Sequence, residues 1–149
     1  MTPSNGEPLR VLAVVHNRIL REGICCLVNT QEELKLAGAA STAEDAVVRF
    51  EDLRPDLTLL DLDLPADGGL TAVRGIRELD PAAWIVALIT DEADEKGHQA
   101  LALGASTVIA KHRIGKVPWQ KPARAAQASL KTGVSNTRSM GVLTAVSQH

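Results

Sequence analysis

At 149 residues the chain has the length of one compact domain rather than two, and its 45% hydrophobic and 23% charged residues are ordinary for a soluble globular protein. The net charge of −2 conceals an asymmetry: residues 1–95 carry all 18 acids and half of the 16 bases, whereas residues 96–149 carry the other bases and no acid. Chemistry that needs a carboxylate side chain beyond Glu95 is therefore excluded, as is a membrane span, since no apolar run approaches the required length of about 20 residues.

Taken in order, the chain opens with a polar stretch, residues 1–8, that contains Glu7 and lacks the pattern of a signal peptide; it reads as a disordered N-terminus. Residues 9–15 form a nearly continuous apolar run, as expected of a strand covered on both faces. Apolar residues at 19, 20, 24, 27 and 28 then make a helical stripe. Within it, the adjacent Cys25 and Cys26 are expected to be buried, reduced thiols of a cytoplasmic protein, because neighbouring cysteines pair only with strain. A short strand over 34–39 follows, then a helix over 43–53 that Ser41 or Thr42 caps and Pro55 ends, with Glu44 and Asp45 at its positive end. A third strand occupies 57–60, and a helix over 70–79 stops at Asp80-Pro81. A fourth strand at 84–89, a helix over 93–103 closed by Gly104, and a fifth strand at 107–110 come next. A last helix, rich in small and basic residues, is expected over 123–131. The domain thus spans 9–131, followed by a flexible basic tail at 132–149. Five strands separated by helices require parallel crossovers, hence an α/β fold with a doubly wound five-stranded parallel sheet and helices on both faces.

In such sheets function gathers at the carboxyl ends of the strands. Asp61 ends the run Leu-Thr-Leu-Leu-Asp, Thr90 follows the fourth strand, and Lys111 follows the fifth. A carboxylate, a hydroxyl and an ammonium at three strand ends can hold a phosphoryl group as nucleophile, hydrogen-bond donor and charge clamp. Near them, His16 is a candidate hydrogen-bonding partner of Asp61, or with it a transition-metal ligand; His98 and His149 have no partner at useful spacing and read as surface residues.

The stretch Pro55-Asp56-Leu57-Thr58-Leu59-Leu60-Asp61-Leu62-Asp63-Leu64-Pro65 with Gly69-Leu70, the segment Leu20-Arg21-Glu22-Gly23-Ile24, and Ala102-Leu103-Gly104-Ala105 together resemble the response-regulator receiver domain of two-component signalling, in its NarL/LuxR-like class, over residues 9–112. The resemblance implies a flavodoxin-like receiver fold in a non-enzymatic, cytoplasmic phosphorelay protein, with a histidine kinase or other signalling protein as partner. It implies Asp61 as phosphoacceptor, Thr90 as switch hydroxyl and Lys111 as the phosphoryl-pairing lysine. It also implies Mg²⁺, bound partly by Asp61 and by the Asp63 backbone carbonyl. Receivers place an acidic pair at the end of the first strand, where this chain has Val15 and His16. Mg²⁺ takes oxygen ligands, so any site here is weak. The aromatic switch position is Val108, His112 stands where proline is common, and the Thr90–Lys111 interval is one residue short. These departures set a phosphorylation-independent pseudo-receiver, acting as an interaction module, beside the active phosphoacceptor.

A third alternative comes from the enzymes. Asp61-Leu62-Asp63 also fits the nucleophile and general acid of haloacid-dehalogenase-like phosphatases, although that motif belongs on a first strand and needs later acids that this chain lacks. The basic C-terminal stretch suits an acidic protein surface before DNA, and no helix-turn-helix output segment follows it, so direct DNA binding is not expected. A homodimer through the last helices fits the same stretch.

Overall fold

The computed structural model describes residues 7–117 and 119. Five strands, β1 (Leu9–Val14), β2 (Leu34–Ala40), β3 (Leu57–Asp61), β4 (Ile85–Ile89) and β5 (Thr107–Ala110), alternate with four helices, α1 (Arg18–Thr30), α2 (Ala43–Leu53), α3 (Gly68–Leu79) and α4 (Lys96–Leu103). All pairings are parallel and the strand order is β2-β1-β3-β4-β5. The expected doubly wound sheet is therefore present, with its topological switch point between β1 and β3.

Alternation along the strands explains why both faces are covered. Leu12, Val14, Leu60, Ala87 and Ile89 join one buried cluster with residues of α2, α3 and α4. Val11, Ala13, Leu57, Leu59, Val86 and Leu88 join the other with Ile24 and Val28 of α1. A 3₁₀ turn at Lys111–Lys116 leads the chain from β5 onto the α1 face. There Ile114 and Trp119 are buried, and the Trp119 ring lies 6.3 Å from that of Trp84 at a 58° tilt. The Trp119 indole N–H is buried without a partner among the described residues.

The helix boundaries follow local chemistry. The Asn17 side chain accepts from the Leu20 amide, so α1 begins at Arg18. The Thr42 hydroxyl accepts from the Asp45 amide and starts α2, whose end is marked by Arg54 in a left-handed conformation just before Pro55. At the close of α4, Gly104 adopts φ 120°, a conformation that glycine takes without strain.

Three expectations need correction. The helix expected from residue 93 begins at Lys96, because Asp91 and Asp94 accept from the Ala93 and Lys96 amides and turn the chain first. The helix expected from residue 70 begins at Gly68. The cysteines are not both buried: Cys25 is half-buried, where burial raises its pKa above the usual thiol value, and Cys26 is exposed. Their adjacency on a helix turns the two side chains about 100° apart, so one faces the core and its neighbour does not. The expected helix at 123–131 and the tail at 132–149 lie outside the described residues, as does His149.

Candidate functional site

The site is built where β3, β4 and β5 end side by side. Asp61 is the last residue of β3, paired in register with Leu88 of β4, and is only 3% exposed. Burial of a carboxylate demands compensation, and Asp61 receives it twice at one oxygen. Its Oδ1 accepts from the Asp63 backbone amide at 2.9 Å and pairs with the Lys111 ammonium at 2.9 Å.

Lys111 follows β5 directly and does more than pair with Asp61. Its Nζ also donates to Asp63 Oδ2 at 2.9 Å, so one ammonium bridges two carboxylates. Thr90, at the end of β4, donates its hydroxyl to the same Asp63 Oδ2 at 2.8 Å. Lys96, the first residue of α4, brings its Nζ to 3.7 Å from Asp63 Oδ1. The hydrogen bond from Lys111 holds the Asp63 carboxyl below the usual carboxylate range against the opposing effect of burial, with Thr90 and the charges of Lys111 and Lys96 assisting. Burial alone would lower the Lys111 pKa, but its hydrogen bonds to Asp63 and Asp61 and their negative charges outweigh that and raise it.

The three residues singled out from the sequence thus converge, but the hub is a fourth. Asp63 entered the receiver reading through its backbone carbonyl and the phosphatase alternative as a general acid, whereas here its carboxylate takes the Thr90 hydroxyl and shares the Lys111 ammonium with Asp61. Strand spacing gave no signal for this, because β3 ends at Asp61 and Asp63 lies in the turn that follows, where its amide donates to Asp61. Lys96 had no signal either, because it lies 33 positions from Asp63 in the chain and only the α4 start brings it near.

At the neighbouring end of β1 the site has no acid. Val15 is fully buried among apolar residues, and His16 is exposed with its Nδ1 3.3 Å from the Ser41 carbonyl oxygen. Neither expected role for His16, as a hydrogen-bonding partner of Asp61 or as a metal ligand beside it, is realised: its ring bonds the β2–α2 loop instead. Arg21 donates to the Val15 and His16 carbonyl oxygens at 3.0 and 3.1 Å, adding positive charge where a divalent cation would require negative. Among the described residues no group of three or more His, Cys, Asp or Glu is placed to hold a metal. The donor set therefore does not fit Mg²⁺: the oxygens of Asp61 and Asp63 already share an ammonium, and β1 supplies none. Val108 leaves the β5 position without an aromatic ring, and His98 and His112 are exposed.

Comparison with known proteins bears on these observations. The family model of the response regulator receiver domain matches residues 11–115. The nitrate/nitrite response regulator protein NarL of Escherichia coli K12 is 32% identical over 108 residues, covering 72% of this chain and 50% of that protein. A protein-glutamate methylesterase/protein-glutamine glutaminase of Geobacter sulfurreducens is 35% identical over 107 residues, covering 72% of this chain and 29% of that protein. The chain thus spans half or less of the length of these curated relatives. Among solved structures, a two-component response regulator of the LuxR family from Aurantimonas sp. SI85-9A1 superposes with a TM-score of 0.67 at 27% identity, covering 85% of this chain and 87% of that one. The response regulator domain of Thermotoga maritima CheB shares the fold, with a TM-score of 0.65 at 21% identity over 89% of this chain and 96% of that one. The phosphatase alternative falls away on the geometry as well, since Asp61 lies on the third strand and the Asp63 carboxylate is held by Lys111 and Thr90 rather than free to donate a proton.

Proposed function

The chain belongs to the response-regulator receiver domains of two-component signalling, and from that premise we propose that it works as a phosphorylation-independent receiver, a module that signals by binding rather than by taking up a phosphoryl group. The observation that carries this reading is the Lys111 ammonium set 2.9 Å from both Asp61 and Asp63, beside a β1 end that offers Val15 and His16. Two carboxylates face two ammonium groups, Lys111 and Lys96, so the cluster is electrically balanced. Little net negative charge is left to attract a divalent cation. Attack of an Asp61 oxygen on phosphorus would then bring two anions together without a metal to screen them, while the lysine that should receive the phosphoryl oxygens is already committed.

The partner is a histidine kinase or another signalling protein with an acidic face, met in the cytoplasm. In this reading the receiver acts by binding its partner rather than by catalysis. Among the described residues no helix is long and apolar enough to cross a membrane.

A second reading, in which Asp61 remains a phosphoacceptor with Thr90 and Lys111 assisting, is favoured by one observation: all three stand on adjacent strand ends. Intact mass after incubation with acetyl phosphate and Mg²⁺ separates the two. We expect no adduct on the native chain and an adduct after Val15→Asp with His16→Asp. A phosphoryl adduct on the native chain that Asp61→Asn abolishes overturns the proposal in favour of the second reading. An unmodified double variant overturns the assignment of Asp61 as acceptor.

A further inference from the structure

The loop between β4 and α4, residues 90–95, is held mostly from within, with Glu92 also 3.9 Å from Arg113 of the 3₁₀ turn after β5. The Asp91 and Asp94 side chains accept from amides two residues on, and the Asp94 amide donates to the Asp91 carbonyl. Its bonds to the β3–α3 loop run to one side chain. Thr90 at its start donates to Asp63 Oδ2, and Lys96 at its end lies 3.7 Å from Asp63 Oδ1. Asp63 in turn is fixed by Lys111 from β5, and its own amide donates to Asp61. A single carboxylate therefore joins the ends of β3, β4 and β5 to the first residue of α4. A phosphoryl group on Asp61 would need the Thr90 hydroxyl and the Lys111 ammonium, and both are already taken.

We propose that Asp63 is an internal anion that occupies the donors of the phosphoryl site and, through Thr90 and Lys96, latches the β4–α4 segment to the β3–α3 loop. Asp63 and Lys96 are positioning residues: they keep the first turn of α4, whose start the Asp91 and Asp94 turns set, closed without any added ligand. The proposal rests on the reading of the site as one that works without a phosphoryl group, and it adds which residue does the holding. The pairing is partly exposed, Asp63 being 38% and Lys96 32% accessible, so its effect is confined to this segment rather than to the stability of the domain.

Limited trypsin digestion of the full chain, in the absence of metal and phosphodonor, tests the latch, because the Lys96–Gly97 bond is itself a cleavage site. Gly97 is buried against Val108 and Ile89, so cleavage there requires the first turn of α4 to open. Asp63→Ala is expected to accelerate cleavage at Lys96–Gly97 by about tenfold while the Arg74–Gly75 bond within α3 is cut at the native rate. Asp63→Asn, which keeps an acceptor for Thr90 but loses the charge, is expected to fall between. Equal rates in Asp63→Ala and native protein at Lys96–Gly97 overturn the proposal. If Asp63→Ala loosens the whole domain and both bonds are cut faster together, Thr90→Val decides. Selective acceleration at Lys96–Gly97 supports the latch and its absence overturns it. Because no phosphodonor is present, a failure here leaves the phosphorylation-independent reading standing. An acetyl-phosphate adduct on the native chain would sink that reading and leave the latch.

Discussion

Lys111 and Asp63 give the site a defined pH window. The Asp63 pKa in the fold lies below its ordinary value, so the stability this group contributes is present above about pH 4 and is lost as pH falls through the lowered folded value. The Lys111 pKa lies above its ordinary value, so its contribution is present below about pH 10.4 and is lost as pH rises through the raised value. The difference in urea midpoint between native protein and Lys111→Met is therefore expected to be constant from about pH 5 to 9 and to shrink at both extremes. A difference that stays flat from pH 3 to 11 would contradict the bridged cluster. Asp61 was legible in the sequence because a carboxylate that ends an apolar strand must be compensated. The side-chain role of Asp63 was not, because only the turn after β3, which aims the Asp63 amide at Asp61, decides which carboxylate meets the donors.

The β3–α3 connection shows how an element can hold a site without touching it chemically. A Cβ added to Gly69 in the first turn of α3 would lie 2.6 Å from the Leu62 Cα and 2.8 Å from the Asp61 carbonyl oxygen, both backbone atoms that cannot swing away. The preceding Ala66 and Asp67 both take left-handed conformations at φ 57°, so the loop is already strained to let the helix come this close. Gly69→Ala is expected to destabilise by about 1–3 kcal/mol in urea unfolding. It should also shift the amide resonances of Asp61 and Asp63 well beyond those of β2; unmoved resonances would exclude this role. At this scale the sequence was read well wherever a cap or breaker announces a boundary, as Thr42 and Pro55 do for α2. It was read poorly at α4, where apolar periodicity suggested a start at residue 93 but two aspartate turns delay the helix to Lys96.

For the molecule as a whole, the alternation of strand and helix fixed the sheet, and the parallel order followed from crossovers of helical length. What pattern alone did not reveal is how the stretch after β5 covers the α1 face. Trp119 is 3% exposed there, against the half-buried Trp84. Trp119→Ala is expected to cost about 3 kcal/mol, read as a lower urea midpoint. Because Trp84 and Trp119 are the two tryptophans of the chain, the emission left in that variant should come from Trp84 and move to longer wavelength. An unshifted spectrum with an unchanged midpoint would mean that the segment does not pack on this face. The 3₁₀ turn at Lys111–Lys116 can be viewed mechanically, as a short strap clamped at both ends by an ammonium between two carboxylates and by an indole under α1. Tension applied near Trp119, by whatever binds the α1 face, has little slack to absorb it before it reaches Lys111. In a receiver that works as proposed, without a phosphoryl group, that strap is a route along the backbone from the α1 face to the ends of β3 and β5.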